Sequence, residues 1–316
     1  MGSGRNWRTF ARALSARLAA GGTPWRFALV DHVWHGRTFG DRTHREWRNP
    51  APATAVANGA CAVDLAASAV GDFAAHVRAV NPRCRVAAVI GHSLGGKIAL
   101  RHLARLGDAN ALPSHPTQWW SLDSVPSAVA HPDDDPHGVQ RVIDAVRNHL
   151  PRTFAAREEL GAALAAMPNA SFPRDLVDWL GTNLAPVDPT APTTSPLTWQ
   201  FDPDGAAALY DAYKRDDGAL RVALDPPTGG GRGRDGSSSY QPRGVVHEVH
   251  VVRAERSTRW PKATEAALVA RAKEGGSRLR YHEVKNAGHW LHVDNPGGLR
   301  DVLAPEMARL CASLTS

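Results

Sequence analysis

Cysteine is scarce in this chain, with Cys61, Cys84 and Cys311 the only three among 316 residues. Three thiols cannot close a disulfide framework, which excludes the small stapled secreted folds and points to a reducing, intracellular compartment, cytoplasm or organelle matrix. Long apolar runs are missing too. None approaches the ~20 residues that a helix needs to cross a bilayer, so no membrane span is expected and the protein reads as soluble. The formal charge is +6, but lysine and arginine are scattered, and without a basic stripe no nucleic-acid partner is expected. Metal-ligand spacing is also lacking. His247 and His250 stand three apart on an expected strand, where such residues face opposite ways. Asp133-Asp134-Asp135 reads as a solvated loop, so neither a metal nor a cofactor is expected. No acidic residue precedes Asp31, whereas Arg5, Arg8, Arg12, Arg17 and Arg26 do. That balance is like a transit peptide, but Trp7, Phe10, Ala11, Leu14 and Leu18 form a helical apolar stripe, and the segment reads as a docked helix.

What is present is an alternation of strands and helices in a length that suits one α/β domain with an insertion. Strands are expected at 27–31, 85–90, 118–122, 245–252 and 279–284. Helices are expected at 61–80, with Leu65, Val70, Phe73, Val77 and Val80 near one stripe, and at 97–106, 263–273 and 299–314. Between 126 and 215 the rhythm changes to four expected helices, 139–150, 153–167, 173–184 and 204–213, with no strand between them. The division is therefore a core of 1–125 and 216–316, a mostly parallel sheet flanked by helices, with 126–215 as an inserted helical cap. Trp179, Trp199, Phe201 and Tyr210 would line a substrate pocket or, the better-weighted reading, form the cap's own core. The glycine- and serine-rich run at 229–239 reads as a loop, with an RNA-binding role disfavoured.

Chemistry enters at Gly91-His92-Ser93-Leu94-Gly95. A G-x-S-x-G pattern alone arises by chance in roughly one such chain in eight. Here it lies between a buried strand and a helix, the context that turns a serine into an exposed nucleophile on a sharp bend. Serine needs a base, and Asn286-Ala287-Gly288-His289-Trp290 supplies His289 directly after the last expected strand. His92 reads as a packing or supporting residue. For the carboxylate that orients the base there are two candidates at sheet edges. Asp123 closes the 118–122 strand and is preferred; Glu255, in Arg253-Ala254-Glu255-Arg256-Ser257, is the alternative. An acyl-transfer site also needs N–H donors for the oxyanion, and one would be the backbone N–H of Leu94. His35-Gly36 has the composition of a second donor loop but follows the wrong strand.

These residues resemble the α/β-hydrolase fold serine esterases close to alpha/beta hydrolase domain-containing protein eleven and its bacterial and plant relatives. The likeness covers most of the chain. It runs through Gly2-Ser3-Gly4-Arg5-Asn6-Trp7, the turn from Asp31 to His35-Gly36, the elbow with Gly96-Lys97, Asp123-Ser124-Val125-Pro126, Trp179-Leu180-Gly181-Thr182-Asn183-Leu184, and Ala287-Gly288-His289-Trp290-Leu291-His292. The stretches 36–58 and 226–242 look like insertions. The resemblance implies a serine esterase with a helical cap and no cofactor, acting on a small or medium acyl ester. Most such hydrolases carry the acid after the penultimate strand, where Ser257 stands here. In some relatives it follows the strand that here ends at Asp123, with a serine near Ser257 assisting. The resemblance also sets residue 1 where the family's oxyanion loop ends, implying a truncated N-terminus lacking two or three strands and one donor. The other readings are then a truncated, non-catalytic binding protein, or a thioesterase or acyl transferase with the same triad.

Overall fold

The computed structural model of the chain describes residues 2–36, 61–106, 116–129, 138–167, 172–226 and 247–315. Seven strands fall within them: β1 (Ala88–His92), β2 (Gln118–Leu122), β3 (Thr153–Phe154), β4 (Leu184–Pro186), β5 (Leu197–Trp199), β6 (Glu248–Ala254) and β7 (Leu279–Val284). The chain divides into two compact units. One holds Trp7–Ala28, Val63–Ala128 and Arg215–Ser316; the other holds Met1–Asn6, Leu29–Ala62 and Val129–Lys214.

The first unit is built on a four-stranded sheet of order β1-β2-β6-β7, with every pair parallel. Parallel strands are covered on both faces, which is why apolar residues run through β2 and β6 with little alternation. Successive side chains then serve opposite layers. Trp120, Leu122, Val252 and Ala254 pack with Phe10, Leu14 and Leu18 of the helix Arg8–Ala20 and with Leu299, Leu303 and Met307 of the helix Pro296–Thr315. Trp119, Val249 and Val251 pack on the other side with Leu100 and Leu103 of the helix Leu94–Leu106, Val222 of Gly218–Leu224 and Leu268 of Lys262–Lys273. This is an α/β-hydrolase fold, a mostly parallel sheet flanked by helices. His92 pairs with Leu122 and Leu122 with Val252, so β1 and β2 end level at one edge, where β6 and β7 run two residues further to the pair Ala254 and Val284. No helix of the described residues is long and apolar enough to cross a membrane.

The second unit carries the helices Val139–Asp144, Glu158–Ala165, Arg174–Gly181 and Pro203–Arg215. Trp199 and Phe201 sit in its core with Phe154, Leu160 and Leu180, and Trp179 packs against them, which favours the self-contained core over a pocket lining for these three. Tyr210 stacks on Tyr213.

Several expected elements differ. The stretch 27–31 forms no strand, and Leu29 and Val30 are more than a third exposed; no described strand lies beside it to supply a hydrogen-bonding edge. The stretch 126–215 is not purely helical, because β3, β5 and β4 form a small antiparallel sheet. The elbow strand runs to His92, and its helix starts at Leu94, so Gly95 and Gly96 lie inside the helix. In the helix Ala62–Val80 the buried face is Ala62, Val63, Ala66 and Ala67, while Val80 is 71% exposed. The runs 133–135 and 229–239 lie outside the described residues.

Candidate active site

The bend at Ser93 follows from its glycines. Ser93 has a left-handed backbone, φ 53°, and its N–H donates to Leu122 O at 2.9 Å. A Cβ on Gly91 would lie 2.0 Å from the carbonyl oxygen of Gly95, and one on Gly96 would lie 2.5 Å from Ser124 Cβ. Only glycine lets the strand and helix close this tightly. Leu94 is the first residue of its helix, so its N–H has no acceptor within the helix and points out of the N-terminus.

Asp123 directly follows β2 with a second left-handed backbone, φ 38°, and its side chain is fully buried. Four donors meet the carboxylate. Oδ2 accepts from His289 Nδ1 at 2.7 Å and Ser257 Oγ at 2.9 Å. Oδ1 accepts from Trp260 Nε1 at 2.8 Å and from the Ala254 N–H at 3.1 Å. Burial alone pushes this carboxyl up, but His289, then Trp260 and Ala254, hold it below the usual carboxylate range. Burial pushes the His289 imidazole down, more than the hydrogen bond to Asp123 raises it. The ring is therefore neutral near pH 7, and Nδ1–H donation to Asp123 leaves its lone pair on Nε2.

The loop that carries His289 is fastened at several points. Asn286 turns it with φ 54°, Ala287 O accepts from the Arg256 N–H, and the Gly288 N–H donates to Asp294 at 2.7 Å. His92, one residue before Ser93, donates from Nε2 to His289 O at 2.6 Å, with ring centroids 4.6 Å apart. Trp7 packs on His92, with ring centroids 5.6 Å apart, and stacks on His292 at 4.0 Å.

The structure thus brings Ser93, Leu94, Asp123, Ser257 and His289 to one edge of one sheet, and Asp123 to His289. Glu255 lies elsewhere. It accepts from the Asn286 N–H at 2.7 Å and from Lys285 at 3.0 Å, both exposed contacts. His35-Gly36 belongs to the other unit, where the Gly36 N–H meets Gln200 O and His35 stacks on Phe201. Sequence reasoning missed Trp260, which lies three residues past Ser257 in an irregular stretch; its one clue is that a buried indole N–H requires an acceptor. Among the described residues no group of three or more histidine, cysteine or carboxylate side chains is arranged to hold a metal. His247 faces Pro116 O and His250 faces His282.

A serine on a strand-bend-helix turn, a buried carboxylate and a histidine joined to it thus stand at one parallel sheet edge. The chain belongs to the alpha/beta hydrolase family, whose pattern matches residues 2–302. Among solved structures it is similar to a marine microorganism esterase, with 17% identity and TM-score 0.62 over 98% of this chain and 91% of that one. It is also similar to the peroxisomal alpha-beta-hydrolase Lpx1 of Saccharomyces cerevisiae, with 15% identity and TM-score 0.58 over 99% and 75%. A Mycobacterium tuberculosis esterase shares 20% identity and TM-score 0.51 over 96% and 81%. Likeness at these identities bears on the fold. No curated protein matches the chain.

Proposed function

We propose that this chain is a serine carboxylic ester hydrolase working through an acyl-enzyme on a small or medium acyl ester, akin to the relatives of alpha/beta hydrolase domain-containing protein eleven. Ser93 Oγ attacks the acyl carbon while His289 Nε2 takes its proton. Asp123 fixes the tautomer and holds the imidazolium that forms, and the Leu94 N–H stabilises the oxyanion. His289 then returns the proton to the leaving alcohol, and water repeats the sequence on the acyl-enzyme. The stretch 126–215 acts as the family's cap. The observation that carries this reading is the 2.7 Å contact between His289 Nδ1 and the buried, four-times hydrogen-bonded Asp123, with a strained serine at the same sheet edge. Two of the similar solved structures bear the name esterase, which supports it.

The test is covalent labelling with a fluorophosphonate alongside turnover of a short-chain p-nitrophenyl ester. Ser93→Ala should abolish labelling and lower kcat by at least about 10⁴-fold; full turnover by this variant overturns the reading. A wild-type chain that binds acyl esters but is never labelled is instead a binding protein. One that turns over the matched thioester far faster is a thioesterase.

A further inference from the structure

We infer that Trp260 is a positioning residue of this site, its indole N–H anchoring Oδ1 of Asp123 so that Oδ2 stays turned to His289. The inference rests on the triad reading above and adds a member that the elbow motif does not point to.

A carboxylate has about four lone-pair sites, and here four donors fill them, two on each oxygen. The two oxygens are held by different kinds of donor. Oδ2 meets groups that move or change: the Ser257 hydroxyl rotates, and the His289 ring gains and loses a proton during turnover. Oδ1 meets groups that do neither: the Ala254 backbone N–H and the Trp260 indole. Indole is a donor only and does not titrate, so it favours the carboxylate anion at every working pH and cannot compete for the proton. Trp260 is itself fixed. It is buried with Val125, Val249, Val251 and Leu268, and the next residue, Pro261, caps the helix Lys262–Lys273.

Without this donor, Asp123 keeps a single contact on Oδ1, and its terminal torsion, broad by nature, is free to swing the carboxylate off the imidazole. The swing acts while the ring is neutral and lowers the fraction poised for turnover. Once the ring is protonated its charge holds the anion in place, and the charge that the indole drew to Oδ1 returns to Oδ2 and binds the imidazolium more tightly. Asp123 faces His289 and His92 as titratable neighbours, and His289 faces Asp123, Arg259, Asp294, His92 and His292. Trp260→Phe changes none of these. A phenyl ring keeps part of the apolar packing and deletes the donor; the gap left by the smaller ring lowers stability without touching the charges around His289.

The experiment is Trp260→Phe in the full chain. The acid limb of kcat/KM for a short-chain ester should move to higher pH by about half a unit or more, since one hydrogen bond to the anion is lost. The turnover number should fall about tenfold while KM changes less than twofold. A ¹⁵N-histidine NMR titration, which needs no turnover, should show His289 moving by the same amount. A folded variant with wild-type limb, kcat and His289 titration overturns the inference. If the wild-type chain hydrolyses no ester and yet His289 shifts, the hydrolase reading fails and the positioning role stands. Should the variant not fold, the wild-type protein decides: the Trp260 indole proton should shift as the Asp123–His289 pair titrates, and an indole resonance unmoved by that titration overturns the inference.

Discussion

In Asp123→Asn one carboxylate oxygen becomes an amide nitrogen, and the structure fixes which one. Oδ1 receives the Ala254 and Trp260 N–H groups at 3.1 and 2.8 Å, so the amide must keep its oxygen there and turn its NH₂ to His289. A donor then faces His289 Nδ1 across 2.7 Å. The imidazole answers by moving its proton to Nε2, the nitrogen that has to accept from Ser93. Ser257 can follow by rotating its hydroxyl to accept, so the fold loses no hydrogen bond. The expected result is a folded protein whose kcat drops by about 10⁴, equivalent to about 5 kcal/mol. One stability change has a definite sign. The Asp123 carboxyl is held below its ordinary value, so it stabilises the fold above the unfolded pKa, and that part is lost as pH falls through the folded one; the asparagine variant lacks this dependence. Kinetics on a p-nitrophenyl ester, with thermal melts on the same samples, measure both. Glu255→Gln is the comparison. Its amide still accepts from Asn286, and its exposed pair with Lys285 is worth no more than about fivefold in rate. A folded Asp123→Asn retaining a tenth of wild-type kcat, or a larger loss in Glu255→Gln, refutes the assignment of the acid.

Two further outcomes follow from packing and burial. Gly91→Ala forces a Cβ to within 2.0 Å of a backbone oxygen and should cost about 3 kcal/mol, seen in denaturant melts. Gly181→Ala, which meets nothing within 4 Å, should be neutral or stabilise by up to about 1 kcal/mol; equal effects at the two sites would contradict the elbow geometry. Lys97 is fully buried, donates to Ser127 O and Asp216 O, and is pushed down by burial from 10.5 to about 8, against the pull of Asp216 and Asp217. Between those values the unfolded chain holds a proton that the folded chain has released, so stability should rise with pH across that window, by up to about 3 kcal/mol. Lys97→Met should abolish the rise in urea melts taken from pH 7.5 to 9.5. An unchanged slope would mean that Lys97 titrates normally. Tyr281, pushed up by burial and then by Glu265, acts the opposite way only above its ordinary value of 10.0.

The parts of the site that were legible in the sequence are those whose position is set by a strand end. Strand composition in β1, β2 and β7, clearest in the fully buried β2, puts Ser93, Asp123 and His289 beyond strand ends without knowledge of the sheet order. Both Asp123 and Glu255 follow a strand, and the preference for Asp123 rests on Ser257 standing where the usual acid would be. What could not be read was whatever depends on partners distant in sequence. Phe27 to Asp31 has strand composition, but a strand is defined by its neighbour. β3, β4 and β5 are two or three residues long, too short for alternation to register, and Thr153 finds its partner at Thr198. The expected helix begins at 97, whereas the observed one begins at Leu94; Gly96 fits inside it because Ser121 and Ser124 leave no room for a Cβ, a contact that no local window contains. Trp260 stayed hidden for the same reason.

Among the described residues four non-glycine residues have left-handed backbones: Trp34, Ser93, Asp123 and Asn286. Three of them follow the ends of β1, β2 and β7 in the same sheet unit. Such a conformation costs on the order of 1 kcal/mol or more outside glycine, and least for asparagine. If these positions served only to turn the chain, glycine would do so without strain. At Ser93 and Asp123, however, glycine would relieve the backbone by deleting the very atoms that the proposed reaction uses. Asn286 carries no such atom, and there the residue is the one that tolerates the bend best. Its N–H is held by Glu255, three residues ahead of His289. Glu255 therefore contributes by fixing the turn that delivers the base, while the strain at Ser93 and Asp123 is sustained by the hydrogen bonds from their own N–H groups to the next strand, Ser93 to Leu122 O and Asp123 to Val252 O. The sheet that sets the positions of these residues is also what holds them in conformations they would not otherwise adopt.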